Sequence, residues 1–167
     1  MEFNEAKNKF VQTWGALGSQ WGINKTMAQI HALLMVSADA LSMEDIMEEL
    51  QISRGNASMN LRALMDWGIV YKEYKAGERR EFFSAEKDLD ELAVKIAQER
   101  SKREIKPALK VLREVSSTVK ETSAEARHFT EQTTKLYDFV LKADNMLEKV
   151  TEYKDNWLAR LVVKIMK

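Results

Sequence analysis

Hydrophobic positions fall at three- and four-residue steps along most of this chain. Between residues 3 and 21 the series Phe3, Ala6, Phe10, Trp14, Leu17 and Trp21 marks an amphipathic helix with an aromatic stripe, and Gly22 ends it. Asn24 is suited to cap a second helix, whose apolar residues Met27, Ile30, Leu33, Leu34 and Val36 predict burial nearly all round. Ser42 and Asp45 have capping-box spacing and open a short third helix that buries Ile46, Met47 and Leu50 and turns an acidic face outward. A polar turn follows, Ser53 caps a fourth helix running to Trp67, and Gly68 stops it.

After Gly68 the period changes. Ile69–Lys75 is rich in strand formers, Ala76-Gly77-Glu78 reads as a turn, and Arg79–Ala85, with Phe82 and Phe83, reads as a returning strand. Helix, turn, helix and hairpin predict a winged helix-turn-helix. From Asp88 the helical period returns, and beyond Pro107 neither glycine nor proline occurs again. Alternating steps from Ile105 then reach Ala108, Leu112, Val115, Val119, Thr122, Ala126, Phe129, Thr133, Leu136, Val140, Ala143, Leu147 and Val150. Twelve of those fourteen positions are apolar, so the seam has the heptad period of paired helices. Capping-box spacing at Thr118/Glu121 and Thr122/Glu125 leaves one helix or two open. A last segment, Asn156–Lys167, has a basic and an apolar side, which suits a short covering helix better than a membrane-surface one.

The fold class predicted is therefore mainly α with a small β-hairpin wing: a winged helix-turn-helix followed by long C-terminal dimerisation helices. Its expected parts are an N-terminal helix over residues 1–23 packing in the dimer region, a DNA-binding domain over 24–87 and a helical dimerisation or regulatory region over 88–167. The dimer contacts expected from the seam are Leu112, Val119, Phe129, Leu136, Val140 and Leu147.

Composition narrows the chemistry. Lys and Arg total 26 against 26 Asp and Glu, so any basic surface must come from local segregation. Absence of cysteine removes disulfides and thiolate metal sites and fits a reducing cytoplasm. No apolar run spans a membrane and the first residues lack a secretory pattern, so a cytoplasmic protein without membrane contact is expected. His31 and His128 are solitary, and no phosphate loop or nucleophile motif occurs. Neither an enzyme nor a cofactor or metal is expected.

The fourth helix is the chemically informative element. A rotation of about 100° per residue groups Ala57, Leu61, Leu64 and Met65 inside and turns Arg54, Gly55, Asn56, Met59, Asn60, Ala63 and, at the flank, Arg62 outward. Asn and Arg carry the forked donors and acceptors that match adenine and guanine edges in the major groove. The hairpin adds Lys72, Lys75, Arg79 and Arg80 near its tip, where a wing follows the DNA backbone.

The run Ser53-Arg54-Gly55-Asn56-Ala57-Ser58-Met59-Asn60-Leu61-Arg62-Ala63-Leu64, then Trp67-Gly68 and Gly77-Glu78-Arg79-Arg80-Glu81-Phe82-Phe83, resembles the GbsR-type branch of the MarR-like regulators. Trp21-Gly22-Ile23-Asn24-Lys25 and Glu99-Arg100-Ser101-Lys102-Arg103-Glu104-Ile105 resemble it too, and the likeness extends over roughly residues 10–107. The resemblance implies a dimeric winged-helix transcription factor, often a repressor, binding double-stranded DNA, with some members responding to choline or related osmolytes. Carried over by position, it implies Ser53, Arg54, Asn56, Asn60 and Arg62 at the DNA and Arg79 and Arg80 in the wing. A choline-like effector needs aromatic walls, for which Phe10, Trp14, Trp21 and Tyr137, with Phe129 and Trp157, are the candidates. The competing expectation is a winged-helix protein-interaction scaffold with a coiled-coil assembly region and no DNA readout; it predicts indifference to salt.

Overall fold

A computed structural model of the chain describes residues 1–155, with side chains to residue 149. The basic segment Asn156–Lys167 and the seam residue Val150 thus lie outside the described backbone and side chains respectively. The chain divides into two compact units, Met1–Leu92 and a second beginning at Ala93.

The first unit contains helices α1 (Phe3–Gln20), α2 (Lys25–Val36), α3 (Met43–Leu50) and α4 (Arg54–Asp66) and strands β1 (Leu41–Ser42), β2 (Val70–Tyr74) and β3 (Glu81–Ala85). The capping chemistry sets the boundaries. Asn24 accepts from the Met27 amide, Ser42 and Asp45 form a reciprocal capping box, and Ser53 accepts from the Asn56 amide. At the end of α4, Gly68 takes φ +69°, its amide donates to Met65 and the Ile69 amide to Leu64, a Schellman closure that turns the chain into β2.

The sheet is antiparallel in the order β1-β3-β2, pairing Leu41 with Phe83 and Lys72 with Phe83. Strand β1 is too short to leave a pattern in the sequence. It brings Ser42, the cap of α3, onto the wing strand opposite Phe82 and so fastens the third helix to the hairpin.

Helix α2 is the centre of this unit: Met27 through Leu34 are all buried. It packs against α1, α3, α4 and β3. Lys87 closes its C-terminus, donating from Nζ to the carbonyls of Leu34 (2.7 Å), Met35 (2.7 Å) and Ser37 (2.8 Å). Helix α1 reaches α2 through its small residues. A Cβ added at Gly18 would stand 2.5 Å from the Ala28 Cβ, and one at Gly15 2.5 Å from Gln29 Cγ. Val11, Gly15 and Gly18 are the buried residues of α1, while Phe3, Phe10 and Trp21 of its aromatic stripe are exposed. The narrow glycine side permits a closer approach than bulky rings do, which explains why the less apolar face is the one covered.

The second unit contains a helical run α5 (Leu89–Arg100, which begins in the first unit), a π-helical turn Ser101–Ile105 and α6 (Lys106–Thr118), followed by α7 (Ala124–Asp155). The seam is therefore carried by two helices, which pack on each other. The break falls at 119–123, and the residue that caps α7 is Ser123, whose Oγ accepts from the Ala126 amide at 3.1 Å. Inside the unit Ser101 Oγ donates to Asp144, both residues buried. Among the described residues no helix is long and apolar enough to cross a membrane.

His31 points into the first unit with its Nε2 buried and unpaired. Burial, and then the Lys87 charge, push its pKa down to about 4. The unfolded chain, with the ordinary value near 6.5, binds the proton first as the pH falls. Stability is therefore complete above about pH 6.5 and is lost as the pH drops toward 4, by at most about 3.5 kcal/mol at ~1.4 kcal/mol per unit. Urea unfolding at pH 7 and pH 4.5 should show this slope, and His31→Gln should flatten it; an equally steep profile in the variant would remove His31 as its source.

Candidate nucleic-acid interface

Helix α4 buries Ala57, Asn60, Leu61 and Leu64 and leaves Ser53, Arg54, Gly55, Met59 and Arg62 exposed, with Asn56 half-buried. Asn60 departs from the expected outward set. It is only 3% exposed, and its amide donates to the backbone carbonyl of Asn56 at 2.8 Å and to Asn56 Oδ1 at 2.7 Å. Positions 57, 60, 61 and 64 follow the three-four step of one face, so Asn60 is drawn in with its apolar neighbours and satisfies its amide locally. Its observable effect is on Asn56, whose side-chain oxygen it holds, rather than on a base. Gly55 has open space where a Cβ would stand, so the first turn of α4 presents bare backbone beside Arg54.

The turn leading into α4 is tight. Gln51 sits in the left-handed region at φ 53°, and the Ile52 amide donates to Met47. This reverses the chain within three residues and sets α4 against α3, whose first turn carries Glu44 and Asp45.

In the wing, the hairpin tip holds Lys75, Arg79 and Arg80, all exposed. Lys75 Nζ lies 4.2 Å and Arg80 Cζ 5.5 Å from the centroid of the Phe82 ring, which orders both cations by cation–π attraction. Arg80 also pairs with Glu78 at 3.0 Å, and that bond raises its pKa. Lys72 pairs with Glu81 at 2.8 Å, which raises its pKa, while the nearby Arg62 charge acts the other way. The charge of Arg62 on α4 therefore reaches Lys72 on the wing strand β2.

Among the ligand candidates, Phe10 and Trp14 have ring centroids 5.6 Å apart, and Trp14 and Trp21 meet edge to face at 6.4 Å. These rings pack on one another in a row along α1. Tyr137 belongs to the second unit, where it lines an open groove of about 450 Å³ with Lys110 and Arg113. Trp157 lies outside the described residues.

In the second unit, Ala126, Thr130, Thr133, Tyr137, Val140 and Asp144 are the half-buried or buried positions of α7 at three-four spacing. Phe129, Leu136 and Leu147 from the seam are exposed, as are Phe139 and Met146 beside them and Val119 at the end of α6, whereas Leu112 is half-buried. The seam is shared between a covered side and an open one. Phe139, at 70% exposure, lies off the alternating three-four count, and only the second stripe it makes with Leu136 and Met146 reveals it.

Residues 21–81, which include α2, α3, α4 and most of the wing, match the MarR family. Over 164 residues the chain is 24% identical to the HTH-type transcriptional repressor GbsR of Bacillus subtilis (strain 168), covering 96% of this chain and 86% of that protein. Its winged-helix part is thus similar to the MarR family, and the chain along most of its length to a GbsR repressor. A crystal structure of a transcriptional regulator, 16% identical, superposes with a TM-score of 0.69 over 90% of this chain and 98% of that one, which establishes the shared winged-helix fold.

Two variants separate base reading from backbone contact at this surface. Arg62→Ala should weaken binding to a cognate duplex by about 1 to 3 kcal/mol and change affinity for random duplex less. Joint replacement of Arg79 and Arg80 by Ala should weaken both duplexes and reduce the slope of log affinity against log salt by roughly one for each phosphate no longer neutralised. Fluorescence anisotropy titrations at several salt concentrations measure both; an unchanged slope in the wing variant removes the wing from the DNA.

Proposed function

We propose that this protein is a sequence-specific DNA-binding transcriptional regulator, acting as a repressor from a homodimer on a palindromic operator and released by a small effector. The observation that carries the reading is the exposed first turn of α4, with Arg54 and bare backbone at Gly55, set beside a wing whose cations are ordered on Phe82. A helix N-terminus and forked side chains suit a major groove, and the cationic hairpin suits the phosphates next to it. Ser53 takes part as the cap that fixes this turn, and Asn56 is held at its edge by Asn60.

The likeness to a repressor along nearly the whole chain supports repression as the sign of control. Dimerisation is supported by the open stripe Phe129, Leu136, Phe139, Met146 and Leu147 on α7, since full burial of each large side chain is worth roughly 1.5 to 3 kcal/mol. Two-fold symmetry then calls for half-sites about one helical turn apart. A choline-like cation is the effector proposed, meeting the open faces of the aromatic row by cation–π attraction.

Selection of bound fragments from the source genome tests the reading directly: a recovered palindrome supports it, and recovery of no sequence preference overturns it. Added choline should release the recovered operator if that effector is correct. Assembly has its own test. Leu136 and Phe139 are 50% and 70% exposed in the single chain, so Leu136→Asp with Phe139→Asp should leave the fold intact. The variant should be monomeric by light scattering, with circular dichroism unchanged and operator affinity sharply reduced. A parent already monomeric at micromolar concentration, or a variant still dimeric, would sink the claim that this stripe joins two copies.

A further inference from the structure

The acidic first turn of α3 lies within reach of the cations assigned to DNA. Glu44 forms an ion pair with Arg54 across the helix-turn-helix, from one helix to the other. Its own backbone amide and then Arg54 hold the Glu44 carboxyl below its usual range, and the Arg80 field acts in the same direction. Asp45 is fixed by the Ser42 hydroxyl and amide, and the fields of Arg80 and Lys75 reach it as well. Glu44 is thus paired with the exposed arginine of α4, and both carboxylates lie in the field of the wing cation Arg80.

The pair does not serve the stability of the fold. Both partners are largely exposed, Arg54 at 65% and Glu44 at 49% of their side-chain surface, where an ion pair is screened and adds little. Its effect falls on ligands. Phosphate oxygens approaching Arg54 must compete with a carboxylate already in place, whatever the base sequence. A guanidinium has five donors in a rigid fork, so Arg54 can keep Glu44 on one edge and offer the rest to a base. We infer that Glu44 is a specificity-setting counter-charge, which positions Arg54 for a base edge and suppresses sequence-indifferent binding to the phosphate backbone.

This inference rests on the DNA-binding reading above, and the measurements keep the two apart. Affinities of the full chain and of Glu44→Gln are measured on a random duplex and on the genome-selected site, across a salt series. The variant should bind random duplex about three- to tenfold more tightly, with a salt slope steeper by up to about one, as removal of one interfacial negative charge requires. Affinity for the selected site should change less, so the ratio between the two falls. On an Arg54→Ala background the same substitution should lose most of its effect, which a purely long-range charge change does not do. Glu5→Gln, the same charge change on α1, should leave both affinities as they are, and thermal melts should confirm folding. Equal tightening on both duplexes, no change on random duplex, or an undiminished effect without Arg54 overturns the inference while DNA binding stands. A parent chain that binds neither duplex overturns both.

Discussion

The burial of α2 is the constraint on which the first unit depends. Eight consecutive residues, Met27–Leu34, are enclosed, including the polar Gln29 and His31. Such a helix must meet neighbours on every side, and α1, α3, α4 and β3 supply them. Its ends must be satisfied as well, by Asn24 at one and the Lys87 ammonium at the other. Lys87 follows directly on the wing, so closing α2 also fixes where the hairpin returns. The exposed α4 surface is held in place by that enclosed neighbour rather than by contacts of its own.

Local rules made much of this fold legible in the sequence. Asn24, Ser42 with Asp45, Ser53 and Gly68 are capping signals that act over three residues, and each occupies its expected role. The change of period at Ile69 placed the hairpin within one or two residues of β2 and β3. Less visible were features with no local period: β1 is only two residues long, and the π-turn at Ser101–Ile105 lies inside an otherwise helical pattern. Helix α1 shows the limit of amphipathicity, since its rings formed the stronger stripe but Gly15 and Gly18 form the contact.

At the candidate interface, the sequence placed Arg54, Arg62, Lys75, Arg79 and Arg80 outward, and all are exposed. It misplaced Asn60, because a side chain of intermediate polarity at the edge of a helical face is assigned by its neighbours, and Leu61, Ala57 and Leu64 draw it inward. The acidic partners of the cations were not legible at all. Glu44 and Arg54 are ten residues apart and meet only because Gln51 accepts a left-handed conformation between their helices. Charge balance over the whole chain conceals this arrangement, in which opposite charges are interleaved across a surface.

The π-turn has a consequence for how this protein tolerates length changes. A π-turn accommodates one residue more than regular α-helical winding between the same flanking turns. Loss of a single residue within Lys102–Ile105, beyond the buried Ser101, can therefore be absorbed by return to regular winding, without shifting the phase of α6. The same loss a few residues later, within Lys106–Val111, would rotate every downstream side chain of α6 by about 100° and turn Leu112 away from the side it now covers. Two neighbouring stretches of one helical run thus stand under opposite constraints, the first forgiving of deletion and the second intolerant of it.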